Sequence, residues 1–234
     1  MAVAVSNTAY GIINDAMHDA GLLGEGDDPN SEQLATNLRR LCDIINFYQT
    51  QGIKLFLQEE ITIPLVAGTQ SYTVNQAGGV LPNKNLRILQ GRIQTPAGER
   101  RTIFPISWQE WNTLPNGSQG AITGYFVDKQ ATSLVVKFWN TPNASEALNS
   151  AVLLVHTQAD NPFNLETDVA FPQEWRIALR WALADDIATG QPQAIMDRCQ
   201  QRARYYKEEL EGWDVEDAPT MFAPNLRYGP GGFR

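Results

Sequence analysis

The run Phe171–Gly190, FPQEWRIALRWALADDIATG, is the strongest helical pattern in the chain, and it follows directly on a long strand-like region. Trp175, Ala178, Leu179, Ala182, Leu183 and Ile187 recur at three- and four-residue steps, which puts them on one helical face. Pro172 suits the first helical position, where its missing N–H costs nothing, and Glu174 falls in the first turn, where a carboxylate favours the helix dipole. Gly190 supplies the stop, and Pro192 fits the start of the next helix. An apolar stripe this broad has to be covered, so the fold turns on where the chain supplies partners.

Three other stretches can cover it. Residues 6–22 form a first helix capped by Ser6 or Asn7, with Ile13, Ala16, Met17 and Ala20 inward and Gly21 as its stop. After the acidic loop LLGEGDDPN, Asn30 and Gln33 make a capping pair for residues 31–51, where Leu34, Leu38, Leu41, Ile45 and Tyr48 keep helical spacing up to Gly52. Residues 192–212 carry Met196, Cys199, Ala203, Tyr206 and Leu210 on one side, with Arg202, Arg204, Lys207, Glu208 and Glu209 on a more exposed flank.

Between the helix pairs the period changes from helical to alternating. EITIPL, SYTVN, LRILQGRIQT, RRTIFPI, GYFVDK, SLVVKFWN and AVLLVHTQ all have strand character, separated by Gly, Pro and Asn clusters. Their short connections predict an antiparallel meander or sandwich, with a short helical turn in PISWQEWNTLP. The expected architecture is α+β: a four-helix bundle with an antiparallel β-rich insertion between its second and third helices. Its expected units are residues 1–52, the first helical pair; 53–160, the β-rich insertion; 161–213, the second helical pair; and 214–234, an extended C-terminal tail. That tail holds Pro219, Pro224 and Pro230, which bar a helix, yet it carries the apolar residues Met221, Phe222, Leu226, Tyr228 and Phe233. An extended segment with such anchors is suited to lie on another surface.

Residues in a catalytic pattern are few. The chain has no phosphate-cradling glycine loop, no nucleophile elbow and no HExxH pair. Its two histidines, His18 and His156, have no companion ligands nearby in sequence, so neither a metal nor a cofactor is expected. Cys42 and Cys199 match neither a zinc nor a redox spacing and are expected as buried thiols. Glu59 and Glu60 are adjacent in a strand and point to opposite faces. Asp186 is expected near the buried face, paired with Arg176, Arg180 or Arg202. Trp108, Trp111, Tyr125, Phe126, Phe138 and Trp139 could serve as stacking platforms, but the bases around them are scattered, so core packing and subunit contact are expected instead.

The net charge of −8 and pI near 4.8 disfavour a protein that wraps nucleic acid, because non-specific affinity needs clustered Lys and Arg. With no long apolar run, no membrane-spanning helix is expected, and the start MAVAVSNTAYGIIND lacks the basic residues and apolar core of a signal peptide, so synthesis in the cytoplasm is expected.

The order of features carries a resemblance. TAYGIINDAMHDAGLLGEGDDPNSEQLATNLRRLCDIINFYQTQGIKLF has a helix, a glycine-containing acidic loop, and a second helix with Leu41, Asn46 and an aromatic near its end, followed by Gly52. AGTQSYTVNQAGG looks like an entry into a β-rich region, SLVVKFWNTPN like a strand–aromatic–proline element, and NPFNLETDVAFPQEWRIALRWALADDIA like a return to helices. In this order the chain resembles the head-to-tail adaptor proteins of short-tailed phages, also called tail accessory factors or packaged-DNA stabilisation proteins. It departs from their pattern at Gln191–Pro192, where an aromatic is expected.

The resemblance implies a non-enzymatic virion component, made in the host cytoplasm. It would form a ring of twelve copies beneath the portal protein, with the tail nozzle or tail tube and fibres or spikes as further partners. Genomic DNA would pass through the lumen without specific binding. The residues implied for portal docking are Met221, Phe222, Leu226, Tyr228 and Phe233. Three alternatives are a tail-associated peptidoglycan hydrolase, with Asp186 or Glu174 as its acid, a neck or tail-completion protein of another tail type, and a free nucleic-acid-binding module, which the net charge disfavours.

Overall fold

The computed structural model describes residues 7–51, 55–74, 85–115, 117–130, 133–162 and 164–213. The expected tail, with Met221, Phe222, Leu226, Tyr228 and Phe233, lies outside the described residues. Within them the chain is α+β: helices precede and follow a large curled sheet.

Helix α1 spans Ala9–Asp19, and its cap is Thr8, whose hydroxyl accepts from the Gly11 N–H. This corrects the expectation of Ser6 or Asn7. Ser6 lies outside the described residues, and the Asn7 amide is used elsewhere, donating to the carbonyls of Val169 and Phe171 at 3.3 and 3.2 Å. The helix stops as expected at Gly21, whose φ of 70° lets its N–H reach His18 and the Leu22 N–H reach Met17. Helix α2, Ser31–Tyr48, opens on the expected pair: Asn30 and Gln33 satisfy each other's backbone N–H groups at 2.9 Å.

The Phe171–Gly190 stretch starts later than expected. Gln173–Trp175 form one 3-10 turn, with Pro172 outside it in an extended conformation, and the α-helix proper, α4, is Arg176–Ile187. The tighter turn holds Trp175 in the core, its ring 5.8 Å from Phe171 and 6.3 Å from both Tyr48 and Phe56. The last helix, α5, is Gln193–Trp213. Helix α4 buries Ala178, Leu179, Leu183 and Ile187 of the expected stripe, with Ala182 only half-buried, and it also buries Trp181 and Ala184. It is covered on more than one side because it packs against α1, α2 and α5. Helices α1, α2 and α5 are thus grouped around α4.

All seven expected strand regions form strands: β1 (Gln58–Pro64), β2 (Ser71–Thr73), β3 (Asn85–Gln94), β4 (Arg100–Pro105), β6 (Gly124–Lys129), β7 (Leu134–Trp139) and β9 (Ser150–Thr157). They make one sheet in the order β1-β9-β3-β4-β6-β7-β2, and the two-residue strands β5 (Gln119–Gly120) and β8 (Thr141–Pro142) pair beside it. The expectation of a purely antiparallel arrangement fails at two places, because β4 pairs with β6, and β5 with β8, in parallel. A parallel neighbour needs a crossover, and the segment between β4 and β6 provides one that includes the short helix α3, Trp108–Thr113. The edge strands β1 and β2 are joined by residues 65–70, and the Val66 N–H donates to the Tyr72 hydroxyl at 2.9 Å, so the sheet curls around its own core. Ile61, Ile93, Ile103, Tyr125, Phe138 and Leu153, from six strands, meet inside it.

The helical core and the sheet core are separate clusters of buried side chains. The segment 164–171 knits the re-entering chain to α1: the Ala9 and Tyr10 N–H groups donate to the carbonyls of Thr167 and Leu165, and the Val169 N–H to that of Asn7. Among the described residues no helix is long and apolar enough to cross a membrane.

Candidate interaction surface

The residues singled out as candidate chemistry have structural partners. Asp186 is on the exposed side of α4 and pairs with Arg40 of α2 at 3.4 Å, not with Arg176, Arg180 or Arg202 as expected. Arg176 and Arg180 point to the other side of α4, where they bind Asp15 (2.5 Å) and Asp19 of α1. Arg202 lies over the Trp181 ring at 5.0 Å. Glu174 is exposed in its 3-10 turn. Glu60 forms a two-pronged pair with Arg92 at 2.7 and 2.8 Å, which holds its carboxyl below the usual carboxylate range.

His156 is buried in β9 and His18 sits in the last turn of α1. Among the described residues no group of three or more His, Cys, Asp and Glu could hold a metal ion. Cys199 is buried as expected; Cys42 is only half-buried, a correction that follows from its place at the flank of α2. Both thiols face a backbone carbonyl at 3.7 Å, and burial is the largest cause pushing both upward. Among the described residues the one buried carboxylate is that of Glu146, which opens a 3-10 turn at Glu146–Leu148 and accepts from Arg101, from the Ile122 N–H at 3.2 Å and from Asn149 at 3.4 Å.

What remains are surfaces. The first is a groove of about 660 Å³ between three helices. The end of α2 supplies Phe47, 56% exposed, and Tyr48; α4 supplies Ala182 and Asp185; α5 supplies Ala203, Lys207 and Glu211. The Lys207 ammonium sits 5.8 Å from the Phe47 ring centre and 5.4 Å from that of Tyr48, held there by the negative ring faces. Burial, with the charges of Glu211 and Asp185 added, pushes the Tyr48 hydroxyl up to about 12. Burial and then the neighbouring charge of Asp186 raise the Asp185 carboxyl as well.

The second surface is aromatic and lies on the sheet. Helix α3 starts with a Ser107–Glu110 capping box and lies over β6, with the Trp108 and Trp111 rings 5.4 and 5.5 Å from that of Phe126. Lys137 approaches the same Phe126 ring at 5.9 Å. Phe104 is 67% exposed and Trp108 62%. Of the six aromatics expected in packing or contact, Tyr125 and Phe138 are core, Phe126 is covered by α3, and Trp108 faces out. Sequence reasoning missed Phe47 and Phe104 and gave Lys207 only a place on the exposed flank of the last helix. The S-x-x-E signal at Ser107–Glu110 was available to place α3.

Charge is divided between the parts. Residues 7–51 carry seven carboxylates and two arginines, and 158–213 carry ten carboxylates and six basic residues. The intervening 58–157 is nearly balanced, with six carboxylates and seven basic residues.

No protein-family model matches the chain, and no curated protein matches it. Among solved structures, one chain from the neck of an empty GTA particle, computed with C6 symmetry, is 13% identical. The match covers 84% of this chain and 92% of that one, with a TM-score of 0.30. A likeness of that size fixes neither fold nor role.

Proposed function

We propose that this chain is a structural component of a phage head-to-tail junction, an adaptor of the kind its sequence resembles. The observation that carries the reading is the order of parts: a helical pair, a curled β-lobe, and a second helical pair that returns to the first through segment 164–171. In this reading the helical parts, residues 1–52 and 161–213, form the body of a ring of twelve copies under the portal protein. The lobe, residues 53–160, faces the tail nozzle or fibres, and residues 214–234 dock on the portal through Met221, Phe222, Leu226, Tyr228 and Phe233. The charge division supports it, since net acidity resides in the helical part, and an acidic wall repels phosphate and leaves DNA free to slide. The exposed Phe104 and Trp108 give the lobe an apolar surface for a partner.

The test is sedimentation of the purified chain with and without portal rings from the same genome. The reading expects a monomeric or weakly associated chain that joins the portal in a ring, and loses that ability when residues 214–234 are removed. A chain that never sediments with the portal overturns it.

A further inference from the structure

The buried residues of α2 are Asn37, Leu41, Ile45 and Tyr48, which share one helical face. Three of these positions carry apolar side chains and the fourth carries an amide. Asn37 is only 6% exposed, yet its side chain has no hydrogen-bond partner among the described residues. Asparagine is also a poor residue for a helix interior, and packing alone would favour a leucine there. The amide instead borders a cavity of about 340 Å³ between α1, α2 and α4. Met17 and Ile187, both buried, form its floor, and Glu32, Thr36 and Arg40 share its α2 wall with Asn37. Arg40 is held by Asp186 at 3.4 Å, whereas the exposed Glu32 has no ion-pair partner among the described residues. The loop leading into α2 adds Glu25, Asp27 and Asp28.

A buried amide open to a cavity suits a group that answers both its donor and its acceptor. A peptide unit does so: its C=O accepts from Nδ2 and its N–H donates to Oδ1. The edge of a nucleobase offers the same pair, but its phosphate would meet Glu32 and the acidic loop. We propose that this cavity binds an extended, basic peptide segment of a partner protein, with one main-chain N–H and C=O paired to Asn37 and a Lys or Arg at Glu32. Glu32 and Arg40 are about 12 Å apart along the helix axis, a span that an extended chain covers with about four residues. The polar wall suits main chain and small side chains, not a large apolar anchor. A second copy of this chain, with a net charge of −8, is a poor source of such a segment.

The test titrates the full chain with pools of acetylated, amidated tetrapeptides, each holding one Lys and three residues drawn from Gly, Ala and Ser. Binding is followed by NMR at the Asn37 side-chain amide, whose signal is identified by its loss in Asn37→Leu. The Lys pools are expected to shift that signal, and pools with Glu in place of Lys to bind several-fold more weakly. Glu32→Lys, at an exposed position, should reverse the preference. Asn37→Leu should abolish binding, read at the Met17 methyl, and should melt at or above the wild-type temperature. The proposal is overturned by the absence of a shift with any pool, by equal binding of Lys and Glu pools, or by an unchanged preference in Glu32→Lys. A shift by AMP instead of peptide, or a marked fall in the melting temperature of Asn37→Leu, which would mean that the amide serves the fold, overturns it too.

Discussion

The side-chain oxygen of Gln49, at the end of α2, accepts a hydrogen bond from the backbone N–H of Ala159 at 2.7 Å. This bond joins the helical part to the chain as it leaves β9, and both residues are buried. Gln49 also donates to Asn46 at 2.9 Å, so its amide is held from both ends. Gln49→Leu keeps the volume but strands the Ala159 N–H. It is expected to cost about 1–3 kcal/mol of stability, the desolvation penalty of an unmade buried bond. Urea unfolding checks this: the midpoint should fall while the slope stays constant.

Gly91 in β3 is set by space. A Cβ there would lie 2.9 Å from the Tyr125 ring and 3.0 Å from Ile103, both buried in the sheet core. Gly91→Ala is therefore expected to lower stability by about 1–3 kcal/mol through overpacking. Thermal unfolding of the variant measures it, and the further substitution Ile103→Val should recover part of the loss.

Tyr48 makes stability depend on alkaline pH. Its folded value is raised to about 12 from the ordinary 10. The neutral phenol is thus favoured in the folded state, and its contribution is fully present below pH 10 and disappears as pH rises through about 12. The full span is about 2–3 kcal/mol, at about 1.4 kcal/mol per unit. Chemical unfolding between pH 9 and 11.5 should show wild type losing stability more steeply than Tyr48→Phe.

The Phe104 and Trp108 rings are exposed, so their replacement should spare the fold and damage assembly. Phe104→Ser with Trp108→Ser is expected to change stability by no more than about 1 kcal/mol, apart from the lost ring contact of Trp108 with Phe126. It should reduce incorporation into particles, read by quantitative mass spectrometry of purified virions.

Much of the fold was legible because period and burial agree. Ile13, Ala16 and Met17 on α1, and Leu41, Ile45 and Tyr48 on α2, are buried where helical spacing put them, and β7 and the second half of β1 alternate in burial as pleated strands do. The parallel β4–β6 pair was not legible from strand patterns; it follows from the crossover through α3, a tertiary choice. The partner of Asp186 was also hidden. The nearby arginines of α4 and Arg202 of α5 were in view, whereas Arg40 comes from α2, remote in sequence. The groove was missed because Phe47 is one position off the α2 stripe and reads as surface; only the packing of α5 beside it makes a concave site.

Cryo-EM of the neck of the parent particle tests the adaptor reading most directly. The account predicts density for this chain as a closed ring beneath the portal, with the helical parts toward the channel, the β-lobe toward the tail, and residues 214–234 on the portal. A neck without this chain, or a chain placed at the distal tip of the tail, would contradict it.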